Sequence, residues 1–291
     1  MSVTIPDLRE SRIVNALSVD VEDYFQVRSF EDRIHFSRWD SFECRFGRNT
    51  RELLSMFDKH GVKATFFLLG WNGQKDPSLV REIKAAGHEI ASHGWSHRLV
   101  YELNRAQFSE DASRTKSLLE DITGSAVKGF RAASYSIITQ SMWALEVLAE
   151  TGHLYDSSIY PIRRGVYGIA SAERVPHRRP AGSRDIAEFP MSTTRLGGIN
   201  LPFGSGAYLR LLPFWITKGL LNRENRAGQP VIVSVHPWEL DPGQPRICST
   251  FERPNHYLRL AKTRPILENL LRSFRFDTVE AVLDGLGLLP H

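Results

Sequence analysis

His88-Glu89-Ile90-Ala91-Ser92-His93-Gly94-Trp95-Ser96-His97 is a short apolar run that turns polar at its end. Residues 88 to 92 have the character of a buried strand, and the first histidine follows at once. His93 and His97 are four apart, a spacing at which two imidazoles can face one point on a single helical turn, as two ligands of one metal ion do. The same arrangement recurs along the chain. Ile13 to Val19 is an apolar run leading into Asp20-Val21-Glu22-Asp23, Val127 to Phe130 ends at Arg131, and Pro230 to Val235 ends at His236.

Helical patterns separate these runs. Asn49 is placed to cap a helix with Leu53, Leu54 and Phe57 on its inner face and Gly61 as its stop. Val62 to Leu69 predicts a second strand. Asp76-Pro77 opens a helix with Leu79, Val80 and Ile83 as its stripe. Asn104 to Ile122 predicts the longest helix, ended by Gly124. Thr139 opens another through Leu148. Residues 153 to 205, rich in Gly, Pro, Ser and Arg, predict short strands and loops. Tyr208 to Asn222 is helical in pattern with a break at Pro213. His256 to Arg272 and Arg275 to Val279 predict a final helix and strand.

Strand-helix units in series imply a mostly parallel sheet, open or closed into a barrel. Asp20, His93, Arg131 and His236 each fall at or just after the C-terminal end of a predicted strand. That face holds the active site in (β/α) barrels, so the placement favours an α/β barrel. One domain, residues 13–291, follows a polar segment, residues 1–12.

At 291 residues the chain has ordinary apolar and charged fractions and a formal charge of +4. This permits attraction to an acidic partner but carries no nucleic-acid signature. No run approaches the roughly 20 apolar residues of a membrane span. The N-terminus lacks the apolar core of a signal peptide, so a cytoplasmic protein is expected. Cys44 and Cys248 match no zinc or redox spacing and are expected to be unpaired thiols.

His93, His97 and one carboxylate from Glu22 or Asp23 make a two-His-one-carboxylate set, suited to zinc and also to iron(II), cobalt or manganese. Asp20 directly follows its strand, should be partly buried, and is a reasonable general base; Arg131 is placed to hold it ionised. The His236 imidazole can protonate a leaving group near neutral pH, with Asp241, Glu239 or Asp185 as orienting partners. Tyr135, Trp95 and Trp238 are candidate sugar-stacking walls.

At these residues the chain resembles the polysaccharide deacetylases with the NodB-homology domain, carbohydrate esterase family 4. More narrowly it resembles the subgroup associated with exopolysaccharide and exosortase (PEP-CTERM) gene clusters. The motifs are Ser18-Val19-Asp20-Val21-Glu22-Asp23-Tyr24-Phe25, Ser92-His93-Gly94-Trp95-Ser96-His97-Arg98, Gly129-Phe130-Arg131-Ala132-Ala133-Ser134-Tyr135-Ser136-Ile137 and His236-Pro237-Trp238-Glu239-Leu240-Asp241-Pro242. They run in order through residues 13 to 280, with a family-specific C-terminal extension.

The resemblance implies a distorted (β/α) barrel, a divalent metal, usually zinc, and hydrolysis of N-acetyl groups from amino sugars of a polysaccharide or its precursor. It implies Asp20 as base, His93 and His97 as metal ligands, Arg131 as the base-orienting arginine and His236 as acid. A backbone N–H near Tyr135 is expected to face the oxyanion. The third ligand stays open between Glu22, by an Asp-x-Asp-like spacing, and Asp23. Ala133 replaces the usual proline of the arginine motif. The usual aromatic-acidic motif supporting the acid is not recognisable, which leaves Asp185 and Glu188 as candidates. Two other readings of the same residues are a cyclic-amide hydrolase resembling the metal-independent allantoinases, and a non-catalytic carbohydrate-binding component of polysaccharide assembly.

Overall fold

Strand β1 (Val14–Val21) carries the alternation that organises the molecule. Leu17, Val19 and Val21 pack outward with Phe66, Leu68, Val233 and Val235, whereas Ala16 joins Phe67, Ala91 and Ile232 in a separate cluster. Ser18 and Asp20 share the parity of Ala16 and so point the same way. The computed structural model describes residues 13–163 and 167–289; the polar segment 1–12 lies outside the described residues.

The other strands are β2 (Thr65–Leu68), β3 (Glu89–Ser92), β4 (Gly129–Phe130), β5 (Tyr155–Asp156), β6 (His177–Ala181), β7 (Arg184–Glu188), β8 (Thr193–Leu196), β9 (Ile199–Pro202), β10 (Ile232–Val235) and β11 (Arg275–Asp277). The sheet order is β10-β1-β2-β3-β4-β5-β7-β6, with β11 also on β1 and β8-β9 a separate hairpin. All neighbours in the large sheet are parallel except β6 and β7.

No ladder joins β10 to the far end of the sheet among the described residues. The sheet is curled nonetheless. Strands β4 and β10 are four places apart, ~19 Å in a flat sheet at about 4.8 Å per step. Yet Nη1 of Arg131, just after β4, lies 3.1 Å from Oγ of Ser234 on β10. The round is completed by irregular chain following β7. Ser192 exchanges hydrogen bonds with the backbone of Ile232, and Ser234 N–H donates to the Gly204 carbonyl. The expected barrel is therefore an α/β barrel distorted at one seam.

Helices α1 (Phe46–His60), α2 (Gly70–Lys75), α3 (Pro77–Ala85), α4 (Arg105–Thr123), α5 (Ala144–Glu150), α6 (Gly206–Leu211), α7 (Phe214–Arg226), α8 (Pro254–Tyr257), α9 (Thr263–Ser273) and α10 (Val279–Gly285) complete the chain. The start signals read from sequence act as expected in two cases: Asp76 caps α3 ahead of Pro77, and Asn104 forms a capping box with Gln107 at α4. Pro213 separates α6 from α7. Asn49 does not cap α1, which starts at Phe46 and contains Asn49 as a buried interior residue. Helices α2 and α10 were not expected from the sequence; the apolar periodicity of six or seven residues is too short to declare them.

Candidate active site

Arg131 is the hub of the site, with a fully buried side chain. Its Nη1 donates to Asp20 Oδ1 at 2.6 Å, to Ser18 Oγ at 2.9 Å and to Ser234 Oγ at 3.1 Å. Nε donates to the Ser157 carbonyl at 3.0 Å and Nη2 to Ser157 Oγ at 2.8 Å. The guanidinium stands 4.1 Å from the Phe67 ring centroid. A buried charge persists only when paired and hydrogen-bonded, and here Asp20 pairs the guanidinium and each of its three nitrogens has an acceptor. Ser18 and Ser234 lie two residues before Asp20 and His236, on the same strand face. That spacing is the sequence signal by which this serine cradle could have been found.

His93 follows β3, and its Nδ1 lies 2.7 Å from the Arg131 carbonyl oxygen. A carbonyl only accepts, so Nδ1 carries the proton and Nε2 of the neutral ring presents a lone pair. That Nε2 is 2.9 Å from Glu22 Oε1, and His97 Nε2 is 3.2 Å from the same oxygen. One potential ligand atom from each of Glu22, His93 and His97 falls within 4.8 Å of the others, and all three residues are buried. A lone pair facing a carboxylate oxygen is repulsive unless a proton or cation lies between, so this donor set fits a divalent ion.

The histidine pair is not on a helix. Residues 93 to 97 form a loop, with Gly94 at φ 73° and His97 at φ 58°. Left-handed backbone returns the second imidazole to the first without a helical turn. The loop is pinned at its carbonyls by the N–H groups of Gly70 and Trp71, and at the Trp95 N–H by Asp111 at 2.9 Å.

Asp23 is not with this group. Its Oδ2 accepts from the backbone N–H of Arg45 at 2.5 Å and Phe46 at 2.9 Å, and its Oδ1 from Tyr24 N–H at 2.9 Å. It caps α1 from a distant loop, satisfying donors that a helix start leaves open. Burial pushes its carboxyl up to about 6 against the pull of these N–H groups.

His236 keeps a 17 % exposed side chain at the other side of the cavity floor, with Nε2 3.7 Å from Asp20 Oδ2. Its Nδ1 is 3.0 Å from Glu239 Oε2, which also accepts from the His236 backbone N–H at 2.9 Å. Burial alone would lower this imidazole, but the bond to Glu239 and the charges of Glu22, Glu239 and Asp20 raise it to about 9. Burial likewise opposes ionisation of Glu239, yet Arg210 and His236 hold it down at about 2.

Glu239 is thus the orienting partner. Asp241 is occupied by Arg45 and Arg48. Asp185 sits in the β6–β7 hairpin opposite Pro180, and Glu188 accepts from Ile159 N–H beside Asp156.

A cavity of about 780 Å³ exposes Asp20, Glu22, His93, His97, Tyr135, His236 and Trp238 together. Trp95 is not among its lining residues; its ring packs on Gly70 and under the Arg114 guanidinium, 3.3 Å from the ring centroid. The Trp238 ring stacks with His236 and His256, at centroid distances of 5.3 and 4.2 Å. The Tyr135 N–H itself donates to the Ala132 carbonyl at 3.1 Å.

Residues 34–153 match the family model for polysaccharide deacetylase, and residues 157–284 match DUF3473, a domain of unknown function. The chain is 36% identical over 98 residues to a peptidoglycan-N-acetylglucosamine deacetylase of Bacillus cereus, covering 33% of this chain and 36% of that protein. It is 35% identical over 114 residues to a chitin deacetylase of Pestalotiopsis sp, covering 38% and 37%. The match therefore spans little more than a third of either relative. Over nearly its whole length the fold is similar to a Mycobacterium smegmatis protein described as a polysaccharide deacetylase, with TM-score 0.61, 20% identity and coverage of 99% and 95%. It is equally similar to the Puue allantoinase, with TM-score 0.61, 16% identity and coverage of 96% and 91%. His93, His97 and Arg131 lie in the first matched segment and His236 in the second, while Asp20 and Glu22 precede both. Residues 34–153 thus resemble a polysaccharide deacetylase domain of the NodB-homology type, carbohydrate esterase family 4, and a DUF3473 segment follows.

Proposed function

We propose that the protein is a metal-dependent deacetylase that hydrolyses N-acetyl groups of amino sugars in a polysaccharide or its precursor, in exopolysaccharide biosynthesis. The observation that carries this reading is the convergence, on one cavity floor, of a clamped carboxylate, a carboxylate-paired imidazole and a Glu-His-His donor set. The motif resemblance to the exosortase-associated subgroup supports the exopolysaccharide role.

Glu22, His93 and His97 would hold the ion, zinc by the donor chemistry, with cobalt, manganese or iron(II) as alternatives. When bound, the ion supplies Lewis acidity to the attacking water and the amide carbonyl. Asp20 accepts a proton from the water at Oδ2, the oxygen left free by Arg131. Arg131 keeps Asp20 aimed. His236, protonated at Nε2, faces the same space and delivers its proton to the departing amine. The C–O bond forms first, giving a tetrahedral oxyanion, and the amide C–N bond then breaks as the nitrogen is protonated, leaving a free amino sugar and acetate.

The test is acetate release from N-acetylglucosamine and N-acetylgalactosamine oligomers, with and without chelator, on wild-type and Asp20→Asn protein. Release that stops with chelator, returns with zinc and falls by about 10²–10⁴-fold in Asp20→Asn supports the reading. Full turnover in the variant with metal bound, or in chelator, would overturn it.

A further inference from the structure

Arg210 is as deeply buried as Arg131 and lies outside the reaction as described. It projects from α6, within the DUF3473 segment, and its Nε donates to Glu239 Oε1 at 2.9 Å. Its Nη1 donates to the carbonyls of His256 and Leu258 at 3.2 and 2.8 Å, and its Nη2 to that of Asn255 at 2.8 Å. Asn255 and His256 line the cavity that holds His236.

The two oxygens of Glu239 are therefore divided. Oε2 takes the backbone and Nδ1 N–H groups of His236, and Oε1 takes Arg210. A buried carboxylate oxygen without a donor is costly, and an unheld carboxylate would turn or take up a proton. Either change loosens its grip on the imidazole. The guanidinium cannot itself turn, because three backbone carbonyls fix its plane.

We propose that Arg210 is the positioning residue for the catalytic acid: by pinning Glu239 to the cavity rim at residues 255–258, it sets the orientation of His236. This gives the segment of unknown function a defined part in the chemistry, and it rests on the reading of His236 as acid. A displacement of a catalytic group by ~1 Å is enough to cost ~10²-fold in rate.

The experiment is a double-mutant cycle in the zinc-loaded full chain, with Arg210→Met, Glu239→Gln and the pair, read by kcat and KM for acetate release. Thermal unfolding checks that each variant is folded, and Arg210→Lys provides a charge-keeping variant. A second readout is the downfield proton resonance of the His236 Nδ1–H, assigned by its absence in His236→Asn. The expected result is a kcat loss of about 10²-fold in each single variant, with KM little changed. The pair should be no slower than Glu239→Gln alone, because residues that act as a unit do not add. The resonance should weaken in Arg210→Met and partly recover in Arg210→Lys. Losses that multiply in the pair, or a folded Arg210→Met with wild-type kcat and resonance, would overturn the proposal. Should the wild type release no acetate while the resonance still depends on Arg210, the functional reading fails and the positioning role stands.

Discussion

The Nδ1 proton of His93 is donated to the backbone carbonyl of Arg131, at 2.7 Å, while the side chain of the same arginine holds Asp20 at 2.6 Å. One residue thus orients a proposed metal ligand through its main chain and the proposed base through its side chain. Only the second function depends on the guanidinium. Arg131→Lys is therefore expected to lower turnover by at least ~10²-fold, since the clamp on Asp20 is lost. Zinc stoichiometry, measured by atomic emission on the purified variant, should stay at the wild-type value. Joint loss of zinc and activity would show that the two functions are not separable.

Glu22 and Asp23 are neighbours with different work. Glu22→Gln removes a proposed ligand charge and should weaken zinc binding by well over 10-fold, read by competition with a chromophoric chelator. Asp23→Ala should leave zinc binding nearly unchanged. It strips an acceptor from three backbone N–H groups and should cost roughly 1–3 kcal/mol of stability, read by denaturant unfolding. The opposite pattern would make Asp23 the ligand.

The acid must carry its proton to react. With His236 raised to about 9, it is protonated through neutral pH and loses the proton as pH climbs through that value. The basic limb of the kcat profile should fall above the ordinary imidazole range and no higher than about pH 9, because an ion on Glu22 offsets one of the charges that raise His236. Glu239→Gln removes the partner that raises the imidazole, so the limb should move to lower pH. A limb that stays in place would exclude His236 as the titrating group.

Stability has its own pH signature at the opposite end of the barrel. Glu89, at the start of β3, accepts from the Tyr155 hydroxyl at 2.5 Å, from the Thr65 hydroxyl and from Glu280 N–H at 3.1 Å. Burial outweighs these donors and pushes its carboxyl up to about 7. The folded state therefore holds this proton more tightly than the unfolded state. Its contribution is favourable below the ordinary carboxylate range and is lost as pH rises to about 7, on the order of 3 kcal/mol. Glu89→Gln should flatten the decline in unfolding free energy between pH 4.5 and 7. An unchanged slope would assign the decline to other buried acids, such as Asp111.

The sequence by itself determined the βα alternation and the strands at or near whose C-terminal ends Asp20, His93, Arg131 and His236 stand, although Asp20 lies inside β1 rather than after it; it also named five groups of the proposed site: those four and His97. These were legible because strand alternation and terminal placement are local properties, carried by a few consecutive residues. Only the tertiary structure decided what depends on distant partners. Glu22 was separated from Asp23 by the N-terminus of α1, which draws Asp23 away. Glu239 was chosen over Asp241 because Arg45 and Arg48 claim the latter, and over Asp185 because that residue is held in a hairpin. Trp95 went to the packing around Gly70, the histidine pair to a left-handed loop, and barrel closure to Ser192 and Ser234. Each choice is a competition for hydrogen-bond donors or space between segments far apart in the chain, and no local pattern of residues records its outcome.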